Sequence, residues 1–338
     1  MNAQVTTTVK NSLTKSDDIE SVKMSAYLTV PAIKDRINQM IGGQNGVKFI
    51  SAIVSAVSTN PSLEKCTNTS IFNAALVGES LKLAHSPQLG HYYLVPYDKK
   101  DKHGNVLRTE AQFQIGYKGY IQLAKRSGVY KRLNVVAIKE GELVKYDPLN
   151  EEIIVNLIQN DLEREKTKTI GYYAMFEEIG GFRKSLYWSK EKMMTHADKY
   201  SQAFSIDSKI IKGNYGDIEK VSFADYELGK IKKGTEWLYS SFWYKDFDQM
   251  AFKTMLRQLI SKWGTMSIEF QSAVSSDMAV IREDGQASYV ENHDFEETPM
   301  LEAQVGPENL EEPEIIEAQT STPKQQKLVE DPEDPFKN

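Results

Sequence analysis

The spacing of apolar residues changes at Tyr92, and a chain that switches period part-way along must mix helices with strands. Up to Leu83 the spacing is helical. Pro31–Ile41 stops at Gly42-Gly43, Val47–Val57 stops ahead of Asn60-Pro61, and Ser70–Leu83 stops ahead of Ser86-Pro87. Proline in a first turn and glycine or proline beyond a last one are the expected punctuation. Ile71, Ala74, Ala75 and Leu81 make a broad stripe on the third segment, which predicts a small N-terminal helical bundle. From Tyr92 onward Tyr92–Tyr97 and Thr109–Ile115 read as the strands of a hairpin with a polar, basic tip between them. Tyr117–Arg126 returns to helical spacing, Tyr130–Lys139 is extended, and Ile153–Ile158 is a short apolar run. Ile170–Ile179 and Phe182–Trp188 flank Gly180-Gly181, a hairpin turn. A long helix is predicted over Asp246–Trp263, with Met255, Leu256, Leu259, Ile260 and Trp263 on one side and the row Gln249, Lys253, Arg257, Ser261 on the other. Hairpins without regular βαβ alternation give an α+β class: a helical lobe, a central antiparallel sheet-and-helix core and a C-terminal core helix.

Charge divides the chain. Residues 283–338 hold 16 acids and 3 bases, a net of -13, whereas residues 1–282 hold 38 bases and 31 acids, a net of +7. The stretch 89–146 alone has 11 bases and 5 acids. Binding to a polyanion follows the local field of such a patch, so the overall -6 does not exclude it. The predicted organisation is a flexible arm over 1–28, a core over 29–282 (helical at 29–88, mixed at 89–282) and a disordered acidic tail over 283–338.

Several chemistries are disfavoured. No apolar run approaches the length of a membrane span, the N-terminus is not signal-like, and the lone Cys66 fits a reducing cytoplasm. The five histidines show no paired metal spacing, no GxxxxGK[ST] loop is present, and the acids between Asp98 and Glu142 form no recognisable metal-nuclease motif. No catalytic residue, metal site or cofactor is expected, with Mg²⁺ at most a modulator of polyanion binding.

The positive signal is FQIGYKGYIQLAKRSG at Phe113–Gly128, following HYYLVPYDK at His91–Lys99. Cations interleaved with flat rings suit single-stranded nucleic acid, whose phosphates need charge and whose unpaired bases need a stacking surface. The candidate DNA-binding residues are Lys118, Lys125, Arg126, Lys131, Lys253, Arg257, Tyr117 and Tyr120. Gly116 and Gly119 either let the main chain approach a phosphate at a helix start or close a strand-to-helix turn.

These two segments, with YKRLNVVAIKEGEL and DFDQMAFKTMLRQLISKWGTMS, closely resemble the RecT family of phage and prophage annealing proteins, continuously over about Pro31–Met278. The resemblance implies a protein that coats single-stranded DNA and anneals complementary strands without ATP. It also implies rings or helical filaments, a partner exonuclease, and a distant relation to annealing proteins with a β-β-β-α core. A strand-protecting protein that does not anneal is the alternative, and a metal-dependent nuclease a weaker one. The tail is expected to compete with DNA for the basic body, and its end at Glu333-Asp334-Pro335-Phe336 looks like the acidic tip of bacterial single-strand-binding proteins.

Overall fold

The computed structural model describes residues 20–289 apart from 21, 87, 102–104, 214–215 and 283. Residues 1–19 of the predicted arm, the hairpin tip and residues 290–338 of the acidic tail lie outside the described residues. The described end of the expected arm is not loose, since Met24, Tyr27 and Leu28 are buried in the first core, and Ala287–Tyr289, expected in the tail, is a strand.

Short α1 (Met24–Tyr27), then α2 (Pro31–Met40), α3 (Gly43–Thr59) and α4 (Asn68–Ser80) lead the chain. The hairpin β1 (Tyr92–Lys100) and β2 (Val106–Ile115) follows, paired from Tyr92↔Ile115 to Lys100↔Val106. Then come α5 (Tyr117–Ser127), β3 (Tyr130–Lys139), β4 (Leu143–Asp147), β5 (Glu152–Val155), α6 (Asp161–Lys166), β6 (Thr169–Glu178), β7 (Arg183–Ser189) and α7 (Lys190–Tyr200). The remainder is β8 (Lys209–Gly213), β9 (Gly216–Lys220), α8 (Phe223–Glu227), α9 (Phe242–Lys245), α10 (Phe247–Trp263), α11 (Ile268–Ser276), β10 (Ala279–Ile281) and β11 (Ala287–Tyr289). Among the described residues the strands form four antiparallel sheets, ordered β1-β2-β10-β11, β3-β6-β7, β4-β5 and β8-β9. The architecture is α+β, and β3, β6, β7 and α7 supply a three-stranded sheet followed by a helix.

Two apolar clusters organise these elements. In the first, Ile53, Phe72, Phe113, Tyr120, Leu256 and Phe270 come together, so the N-terminal helices share one core with the β1–β2 hairpin and α5. In the second, Tyr172, Phe176, Met193, Phe204, Phe223 and Leu259 pack beneath the β3-β6-β7 sheet. Burying each such side chain contributes about 1.5–3 kcal/mol. Helix α10 serves both: Leu256 and Ile260 enter the first cluster, while Ala251, Met255 and Leu259 enter the second. A helix lying between two cores has no wide solvent face, which overrides its amphipathic pattern.

Local chemistry sets the ends. Asp246 caps α10 by accepting from Gln249 N at 3.2 Å, and Gly128 closes α5 in the left-handed region at φ 69°. Gly78 sits against the Tyr92 ring, where a Cβ would come within 2.4 Å of it. Cys66 is buried, and burial, then Asp98 and Glu110, push its thiol up to about 12, so it carries negligible thiolate at neutral pH.

Candidate nucleic-acid interface

Helix α5 starts where the β1–β2 hairpin ends, and its first turn sits hard against the turn before β1. Gly116 N donates to His91 O at 2.9 Å. A Cβ on Gly116 would lie 2.2 Å from Gly90 O, and one on Gly119 would lie 2.1 Å from His91 O. Both glycines are thus required by packing of main chain on main chain. Gly119→Ala is expected to cost about 3 kcal/mol in urea unfolding, because backbone cannot yield as a side chain tip does; a loss below about 1 kcal/mol would show that the turn shifts freely.

This junction presents a cation beside rings. Lys118 is exposed, with its Nζ 6.0 Å from the centroid of the half-buried Tyr117 ring. Tyr93 of β1 packs on Phe242 of α9 at 5.7 Å, and Tyr117 meets Phe252 of α10 edge-on at 5.7 Å. Tyr93, Gln114, Tyr117, Phe242 and Gln249 line one cleft, whose rim carries the 44 % exposed Phe242. Phe242 escaped the sequence reading because it lies more than a hundred residues from Tyr117, in a segment with no cation spacing to mark it.

The other candidates divide. Lys125 is exposed on the last turn of α5. Arg126 is exposed too, but its guanidinium donates to Leu81 O at 2.6 Å and Lys82 O at 3.3 Å, neutralising the carbonyl end of α4. Lys131 pairs with Glu177 across the β3–β6 ladder at 2.6 Å.

Three expectations are corrected. Tyr120 is fully buried and its hydroxyl donates to Asp277 Oδ2 at 3.0 Å, so it offers no stacking face. Lys253 and Arg257, expected on a solvent-facing row, are 5 % and 2 % exposed. Lys253 Nζ lies 3.0 Å from Asp277 Oδ1, and Arg257 Nη1 lies 3.5 Å from Oδ2. The same carboxylate accepts from Ile115 N at 2.8 Å. A carboxylate taken out of water needs this much compensation, and the two cations stay inside to supply it.

Burial, with Arg126 and Lys118 beyond it, holds the His91 imidazole below the ordinary histidine range, and burial alone does so for His85. Each ring gives up its proton at a lower pH in the fold than in the unfolded chain, where histidine takes a proton at about 6.5. Their contribution to stability is therefore complete above that pH and is lost as pH falls through the lower folded value. Thermal melts of His85→Gln and His91→Gln between pH 7.5 and pH 5 are expected to show a smaller acid-induced drop than the parent. An unchanged drop in both would assign the acid sensitivity to other groups.

With this geometry in place, comparison with known proteins decides the relationship. The sequence profile described as "RecT family" matches residues 47–294. The chain belongs to the RecT family. "Uncharacterized protein YqaK" of Bacillus subtilis (strain 168) is 32 % identical over 336 residues, covering 97 % of this chain and 98 % of that protein. "Protein RecT" of Escherichia coli (strain K12) is 24 % identical over 262 residues, covering 77 % and 81 %. Family membership supports a role in recombination and annealing in general. The matched region holds the whole α5 junction and the buried Lys253–Arg257–Asp277 cluster. Among the described residues no helix is long and apolar enough to cross a membrane, and no group of three or more His, Cys, Asp and Glu is placed to hold a metal.

Proposed function

We propose that this protein coats single-stranded DNA and anneals complementary strands without nucleotide hydrolysis, as an assembly of many copies. The observation that carries the proposal is the α5 junction: exposed Lys118 beside the Tyr117 ring, with Tyr93 packed on Phe242 and exposed Lys125 two turns further along the same helix, on a chain of the RecT family. Lysines there grip phosphates without reading sequence, and rings stack any base, which leaves Watson–Crick edges free to test a partner. Pairing is downhill once strands meet in register, so the protein needs no fuel. Within this reading the DNA-binding set is Lys118, Lys125, Tyr93, Tyr117 and Phe242, with Arg126 and Lys131 contributing field from paired positions. Single strands would come from a partner exonuclease, and a host single-strand-binding protein would share the substrate, in a bacterial cytoplasm.

The test is to mix two complementary labelled strands with the protein, with neither nucleotide nor nuclease present. Duplex formation faster than the spontaneous rate supports annealing. Slowing would leave a protecting protein, and shortened strands would mean cleavage.

A further inference from the structure

Between β3 and β6 the chain makes an excursion, residues 139–168, that contributes to neither apolar cluster. Its two strands, β4 and β5, pair only with each other. What fastens it is polar: the Glu142 side chain, 0 % exposed, accepts from Lys139 N at 2.8 Å, Ile158 N at 3.1 Å and Arg164 Nε at 2.6 Å. Arg164 reaches on to Ala137 O at 2.7 Å, pinning α6 to the sheet. Tyr146 packs on Tyr187, and Lys184 bonds Glu151. The fastened ribbon then turns apolar residues outward: Val144, Leu149, Ile154, Leu157 and Leu162, with Leu149 89 % and Leu162 70 % exposed. A buried ion pair costs desolvation and yields little net stability, so using one to hold an apolar surface in water points to a partner for that surface.

The ribbon and α6, residues 143–166, carry six acids and three bases. A face of opposite sign lies on the N-terminal helices, where residues 22–48 carry four bases and one acid. There Met40 (57 % exposed) and Val47 (66 %) stand either side of the Gly42-Gly43 turn, with exposed Lys34 and Lys48 nearby in the chain. The helical face rests on the first apolar cluster, while the ribbon is tied to β3 and β7 of the other sheet, so the two faces share no residue. We infer that the β4–β5 ribbon with α6 docks on the α2–α3 face of a second copy of this chain. Such a contact joins two different faces, so it repeats head to tail and builds a ring or an open filament. The inference rests on the assembly of copies proposed above and names the surfaces that make it.

The experiment compares a long oligothymidylate with one of about 12 nucleotides, short enough for a single copy. Light scattering reads assembly on the long strand, and fluorescence anisotropy reads affinity for the short one. Leu149→Ser/Leu162→Ser is expected to raise the concentration for half-maximal assembly at least roughly tenfold while leaving short-strand affinity unchanged. Glu163→Lys/Glu165→Lys is expected to weaken assembly, and adding Lys34→Glu/Lys48→Glu to the same chain to restore it. All of these side chains are exposed, and circular dichroism confirms the fold of each variant. Assembly as in the parent for both ribbon variants, or no recovery in the charge swap, overturns this interface. A parent that stays monomeric on the long strand overturns the assembly reading itself.

Discussion

Asp277→Asn is expected to lower the stability of the fold by about 3–5 kcal/mol, the cost of leaving a buried charge without its partner. That is a large part of the roughly 5–15 kcal/mol available to a protein of ordinary stability. The carboxylate is 0 % exposed and joins four groups from three elements: Ile115 N at the end of β2, Tyr120 of α5, and Lys253 and Arg257 of α10. With a neutral amide there, two cations remain beside one another in a poorly solvated site. Lys253→Met leaves Asp277 with Arg257 and is expected to cost less. Equilibrium unfolding in urea measures both. A loss below about 1 kcal/mol for Asp277→Asn would show that water reaches the cluster. The same variants separate structure from binding: under conditions where Lys253→Met is folded, its affinity for single-stranded DNA and its salt dependence are expected to match the parent.

Removing the rings at the α5 junction has the larger expected effect on binding. Phe242→Ala and Tyr93→Ala are each expected to weaken binding of single-stranded DNA by about 1–3 kcal/mol, the range for loss of one base–ring stack. Duplex DNA, whose bases are already stacked, is expected to bind the variants and the parent alike. Phe242 has an exposed face, so its removal leaves no buried cavity, and thermal melts should stay close to the parent. Equal weakening on duplex and single strands would make these rings supports for the lysines, without a stacking role.

Much of the fold was legible in the sequence, since local rules govern those parts. β3 runs over Tyr130–Lys139 as the alternation predicts, and α10 runs over Phe247–Trp263 behind its Asp246 cap. The first hairpin is longer than its apolar run, since ladder bonds continue out to Lys100↔Val106 after burial ends. Some elements carried signals that went unread: α7 and α11 start on capping serines, Ser189 and Ser267, and β8 and β9 pair out to Gly213↔Gly216, with glycine at both ends of the connection. The candidate site was only half legible, for a physical reason. Helical spacing places Lys253 and Arg257 on one row, but whether that row meets water depends on a second core and on Asp277, which no local pattern announces. Tyr120 is the same case. Lys118 and Lys125 are exposed, and Phe242 joins Tyr93 only through tertiary packing.

The most direct test of the α5 junction as the DNA-binding surface is a salt titration of oligothymidylate binding by the parent and by Lys118→Gln/Lys125→Gln. Each phosphate contact on a single strand contributes about 0.7 to the slope of log affinity against log salt. The double variant is expected to bind more weakly at low salt, with a slope shallower by about 1.4, and to melt as the parent does. Unchanged affinity and slope in a folded double variant would contradict the assignment and move the DNA to another face.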